Sequence, residues 1–157
     1  MLTRVDHVGF TVADLDRAIE WYRELLQCEP TTRGVWEHDY IGDLVGYPGC
    51  RMECAFFPLP GGVLELVEYS KPSSARVDME TYNIGNGHLC LLTDDIHREV
   101  ERLAPIATFR SPPIEIPWGP YKGGWACYLR DPDGVTIQMM QHPPGGPKLG
   151  SVGEPQS

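Results

Sequence analysis

The chain has 157 residues, 41% of them hydrophobic, and a formal charge of −9 at pH 7. That length suits one domain or two small modules sharing a core, and the acidic balance excludes nucleic acid and anionic membrane surfaces, both of which require a basic footprint. No apolar run approaches the ~18 residues that span a bilayer, and the first ten residues carry Arg4, Asp6 and His7 instead of a signal-peptide core, which points to a cytoplasmic protein.

Residues Val5 to Val12 alternate in polarity, predicting a strand with Val5, His7, Gly9 and Thr11 on one face. Asp14 is a good N-cap, and Leu15, Ala18, Ile19, Tyr22, Leu25 and Leu26 follow at helical spacing until Glu29-Pro30 stops the helix. Thr31 to Tyr40 reads as extended, and Asp39 to Gly46 as one short helical turn before the turn signal Tyr47-Pro48-Gly49. Cys50 to Phe57 is a predicted strand with Met52, Cys54 and Phe56 on one side. Pro58 to Gly62 turns the chain into a second strand, Val63 to Tyr69, which shows Val63, Glu65 and Val67 on one face. A carboxylate flanked by apolar residues on its own face belongs at a sheet rim or in a site.

Ser70 to Gly87 is polar and loop-rich, long enough to link two halves. The pattern then returns: a strand from His88 to Thr93, a helix from Asp95 to Leu103, and a strand near Ile106 to Arg110. Ser111 to Gly124 is rich in Pro and Gly and carries Trp118 and Tyr121, so it reads as a functional loop or lid. Trp125 to Leu129 and Val135 to Met140 form a predicted hairpin about Asp131-Pro132-Asp133-Gly134. The last residues, 143–157, have almost no apolar content and read as a mobile tail. The whole is an α+β fold in which β-α-β-β-β is written twice: one domain over 1–142, made of modules 1–70 and 86–142 joined by the linker 71–85. The five cysteines, at 28, 50, 54, 90 and 127, form neither a disulfide framework nor a four-thiolate zinc site and read as reduced, mostly buried thiols.

Each half opens on a histidine, His7 or His88, and an aspartate N-cap follows it by the same interval, at Asp14 and Asp95. The last strand of each half holds a long ligand-capable side chain at an equivalent point, Glu65 in the first and Gln138 in the second. Alone, each has an ordinary reading: a structural histidine, a hydrogen-bonded sheet glutamine, a glutamate paired with an arginine. Together they repeat at equivalent points of two copies. If a pseudo-twofold relates the halves, two imidazoles, one carboxylate and one carboxamide oxygen converge between the sheets. Such a set suits one borderline divalent ion, zinc ahead of manganese, iron, cobalt or nickel.

The segments Asp6-His7-Val8-Gly9-Phe10, Leu64-Glu65-Leu66-Val67-Glu68-Tyr69, Gly87-His88-Leu89-Cys90-Leu91 and Asp131-Pro132-Asp133-Gly134-Val135-Thr136-Ile137-Gln138 resemble the vicinal oxygen chelate superfamily of glyoxalase I, methylmalonyl-CoA epimerase, extradiol dioxygenases and bleomycin-resistance proteins. The resemblance runs to about Gln141. It implies paired β-α-β-β-β modules whose sheets curl around a metal site, a small oxygenated substrate and a homodimer. Family enzymes usually carry glutamate where this chain has Gln138, which leaves one carboxylate instead of two. The segment Asp39 to Gly49, with Pro60-Gly61-Gly62 and the Glu65 strand, is similar to the epimerases that act on 2-epi-5-epi-valiolone in cyclitol pathways.

The resemblance implies bidentate capture of vicinal oxygens, which suits an epimerase or isomerase that moves a proton next to a carbonyl through an enediolate. Glu65 could serve as ligand and base by turns. Glu53, on the neighbouring strand, and His38, from a loop, are further candidates, although Glu53 shares its strand face with Arg51 and reads equally as an ion-pair partner. Trp118 and Tyr121 could cover a substrate or simply pack on the second sheet. The alternatives are an iron(II) extradiol dioxygenase, a glyoxalase-I-like lyase and a non-catalytic drug-binding resistance protein.

Overall fold

A computed structural model describes residues 1–147; the rest of the tail expected over 143–157 lies outside the described residues. The chain divides into two compact units, one through Val77 and one from Asp78 onward. Each is a mixed α+β unit built on a mixed sheet, as the doubled pattern predicts.

In the first unit, β1 (His7–Thr11) leads into α1 (Leu15–Leu26), followed by β2 (Thr32–Trp36), α2 (Asp39–Val45), β3 (Arg51–Leu59) and β4 (Gly62–Lys71). The strand order is β1-β4-β3-β2, with β1 parallel to β4 and the other pairings antiparallel. The α1 N-terminus is capped as its sequence predicts, the Asp14 carboxylate accepting from the Arg17 N–H at 2.9 Å. The helix stops earlier than the proline suggests, because Gln27 turns left-handed at φ +53°. Its buried stripe includes Leu15, Ala18 and Tyr22, and the Tyr22 ring meets Phe10 and Phe57. The other face of the sheet is covered in part by α2, two turns where one was expected, whose Ile41 and Val45 join Met52, Cys54 and Val67. Burial on both faces explains why β3 and β4 read as nearly continuous apolar runs.

The second unit runs β5 (His88–Leu92), α3 (Ile96–Leu103), β6 (Thr108–Phe109), β7 (Ile114–Glu115), β8 (Trp125–Arg130) and β9 (Thr136–Gln141). Its path is β5-β9-β8-β6, again with a parallel first pair, and β7 adds to β8. Asp95 caps α3 through the Arg98 N–H at 3.1 Å. Ile96, Leu103, Leu129 and Ile137 are fully buried.

The strand expected over Ile106 to Arg110 shrinks to Thr108–Phe109 because the N–H groups of Ile106 and Ala107 both turn back to the Leu103 carbonyl. The Ser111 to Gly124 segment is pinned: β7 pairs with β8, Ile116 N–H donates to the Gly124 carbonyl at 2.8 Å, and Gly123 N–H returns to the Ile116 carbonyl at 2.9 Å. The expected hairpin about Asp131 is closed by its carboxylate, which accepts from the Asp133 and Val135 N–H groups at 2.9 and 2.7 Å. Gly134 completes it at φ +92°, a conformation that favours glycine. Part of the segment read as a linker is bonded into this unit: Glu80 pairs with Arg110, and Arg130 donates to the Met79 carbonyl. No helix among the described residues is long and apolar enough to cross a membrane.

Candidate functional site

Parallel pairing of β1 with β4 sets His7 opposite Val63 and Gly9 opposite Glu65, so the odd residues of both strands share a face. On that face His7 Nε2 lies 3.5 Å from Glu65 Oε2, while His7 Nδ1 sits 3.1 Å from Asp6 Oδ2. The imidazole is thus held between two carboxylates, one on each ring nitrogen. The Glu65 side chain is 19% exposed and the His7 side chain 48%. Gly9 keeps the approach open, since a Cβ there would stand 3.3 Å from Glu65 Oε2.

The interior flank of Glu65 is formed by β3. Phe56 pairs with Glu65 and Cys54 with Val67, which places Cys54 on the same face. Cys54 is 1% exposed and stands diagonal to Glu65 on that face. Burial first, then the Glu65 carboxylate, push the thiol up to about 12, so it stays neutral. Tyr69 is raised by burial and then by Cys50, Cys54, Tyr47 and Glu65, and Trp36 and Phe56 meet edge to face at 5.7 Å.

The second unit repeats the register with different chemistry. His88 lies opposite Thr136 and Cys90 opposite Gln138, so His88 and Gln138 share a face with the same offset as His7 and Glu65. Tyr128 stands directly across from Gln138, and its ring meets His88 edge on at 5.6 Å. Burial raises the Tyr128 phenol.

One sequence candidate, Glu53, lies apart from the His7–Glu65 pair. Glu53 is on the other face of β3, where its Oε1 accepts from Arg33 Nε at 2.6 Å. The same guanidinium reaches Asp16, and those two bonds raise its pKa. His38 occupies the N-cap position of α2 without a side-chain capping bond, its ring stacked on Tyr40 at 6.4 Å. Tyr121 lies against His142, and Trp118 is half exposed. Sequence reading overlooked Gly9, Cys54 and Tyr128. The alternation that sets Cys54 on one strand face and Glu65 on another was readable, but the register that makes the two faces one was not.

The His7–Glu65 pair passes a geometric test as two ligands of one metal ion. Bonds of ~2.0–2.1 Å at a tetrahedral centre set adjacent donors about 3.3–3.4 Å apart, and the observed separation is 3.5 Å. Asp6 supplies the carboxylate that a ligating histidine usually has on its other nitrogen. Among the described residues no three His, Cys, Asp or Glu side chains suited to a metal ion come together. The first unit by itself offers one pair of donors, His7 and Glu65.

Residues 4–139 match the family model described as glyoxalase/bleomycin resistance protein/dioxygenase superfamily. A 2-epi-5-epi-valiolone epimerase of Actinomyces sp. is 29% identical over 151 residues, covering 91% of this chain and 81% of the relative. A lactoylglutathione lyase of Arabidopsis thaliana is 30% identical over 145 residues, or 88% of this chain; the chain spans less than half of that relative, 44%. The crystal structure of a glyoxalase family protein from Bacillus cereus covers 91% of this chain and 96% of its own, with a TM-score of 0.79 and 22% identity, a likeness of fold.

Proposed function

The chain belongs to the glyoxalase/bleomycin resistance protein/dioxygenase superfamily, and on that footing we propose that it is a divalent-metal-dependent epimerase or isomerase that moves a proton next to a carbonyl of a small oxygenated substrate. His7, Glu65, His88 and Gln138 are the ligands in this reading, and zinc is the foremost ion. The observation that carries it is the His7–Glu65 pair, 3.5 Å apart across two strands, with Asp6 behind the imidazole and Gly9 opposite the carboxylate. A bound divalent ion would supply Lewis-acid stabilisation of negative charge developing on the substrate oxygens.

Glu65 performs the proton work. Its carboxylate takes the proton from the carbon beside the carbonyl, a solvent-derived proton is added to the other face to give the epimer, and Glu65 releases its own proton to solvent. His7 stands beside the carboxylate, and Asp6 fixes the imidazole through its other ring nitrogen. Glu53 takes no part, because its charge is engaged by Arg33.

The epimerase relative, matched over most of both chains, supports a cyclitol ketone such as 2-epi-5-epi-valiolone as the substrate. A lyase acting on lactoylglutathione is the second reading, supported by the Arabidopsis relative. Incubation with 2-epi-5-epi-valiolone in deuterium oxide without oxygen tests the first. Deuterium washing into the carbon beside the carbonyl is expected; turnover without wash-in sinks it. Turnover of lactoylglutathione alone selects the second.

A further inference from the structure

We propose that Cys54 is a positioning residue for Glu65, its buried thiol holding the carboxylate from the interior so that it faces His7. The inference rests on the reading of Glu65 as ligand and base. Cys54 and Glu65 are diagonal neighbours on adjacent strands, within reach of a long side chain. The thiol has one proton to give, and the Glu65 carboxylate is the acceptor diagonal to it on the same face. On its other flank the carboxylate stands 3.5 Å from the His7 ring, with Gly9 opposite it on β1 and no side chain there. A glutamate with three rotatable bonds beside an open space presents its oxygens in many ways, and a fixed donor behind it selects one.

The second unit gives an independent contrast. There the counterpart of Val67 in the register is Met140, and the residue opposite Met140 is Ala126, which has no proton to donate. The neutral carboxamide of Gln138 thus has no donor at the corresponding point, while the carboxylate of Glu65 does. The thiol accompanies the charge. Cysteine also suits the task chemically, because a weak donor orients a carboxylate without competing strongly for its lone pairs.

The test is a cobalt(II) titration of the metal-free protein, followed by visible absorption, on wild type, Cys54→Ala, Cys54→Val, Cys54→Ser and Glu65→Ala. Outer-shell partners of metal ligands are worth about 10–100-fold in affinity, so Cys54→Ala and Cys54→Val should each weaken binding by about tenfold and Cys54→Ser by no more than about threefold. Wild-type affinity in Cys54→Ala, alongside weak binding in Glu65→Ala, overturns the positioning role and leaves the proposed function standing. Equal losses in Cys54→Ser and Cys54→Ala also overturn it, since they mark packing alone. Wild-type affinity in Glu65→Ala sinks the proposed function instead. The thiol contact is then decided by the S–H stretching band of Cys54 in Raman spectra of the metal-free protein, identified by its loss in Cys54→Ala. A rise in its frequency in Glu65→Ala supports the contact, and an unmoved band overturns it.

Discussion

The two units follow one path through different chemistry. In each, a histidine opens the first strand, an aspartate caps the helix, and the last strand places two polar side chains three residues apart. Those side chains are Glu65 and Glu68 in the first unit, Gln138 and Gln141 in the second. The outer pair does the same work. Glu68 Oε2 accepts from the Leu15 N–H at 2.7 Å, and Gln141 Oε1 accepts from the Ile96 N–H at 2.9 Å, each closing the first turn of its helix. A neutral amide evidently serves the scaffold as well as a carboxylate. Charge at the inner position is therefore not a demand of the fold. It distinguishes Glu65, which has a histidine, a thiol and an open glycine around it, from Gln138, which faces a tyrosine.

The variant that breaks this difference most severely is Glu65→Gln, which gives both units the same inner residue. Loss of a general base typically costs ~10²–10⁴-fold, and kcat should fall within that range while the melting temperature stays near that of wild type. Retention of kcat in steady-state assays would assign the proton transfer elsewhere.

Much of this was legible in the sequence, and the limits are physical. The aspartate caps and helical spacing placed α1 and α3 because capping is a local interaction. Strand alternation placed His7, Gly9 and Glu65 on their faces because the side-chain period is two. What was out of reach depends on pairing between distant segments. Glu53 could be read as catalytic because nothing local showed that it faces Arg33 across β2 and β3. The thiol behind Glu65 and the Tyr128 ring beside His88 likewise appear only once register is known. The length of α2 and the shortness of β6 were misjudged for a related reason. α2 is held by Ile41 and Val45 packing against β3, and β6 is cut short by helix-end bonds at Leu103.

A milder perturbation sharpens the comparison. Gly9 and Cys90 occupy equivalent points opposite Glu65 and Gln138. Gly9→Ala pushes a methyl to 3.3 Å from the carboxylate oxygen. Displacing a reacting group by a few tenths of an ångström should lower kcat/KM by about tenfold, whereas Cys90→Ala should change it little. Equal effects in the two variants would erase the functional asymmetry between the units.

The smallest effect concerns the outer pair. Because a charge near a helix N-terminus is worth about 0.3–1 kcal/mol, Glu68→Gln should lower stability by only that much in urea unfolding, and Gln141→Glu should raise it by a similar amount. Losses several times larger in Glu68→Gln would mean that the carboxylate does more than cap α1.

In the proposed function His7 and His88, which open the first strand of each unit, are both metal ligands. That assignment is tested most directly by elemental analysis of protein equilibrated with zinc and freed of excess metal, comparing wild type with His7→Ala and His88→Ala. About one ion per chain in wild type and a sharp loss in each variant is the predicted result, since a site that loses an imidazole loses much of its affinity. Metal content unchanged in both variants would contradict it.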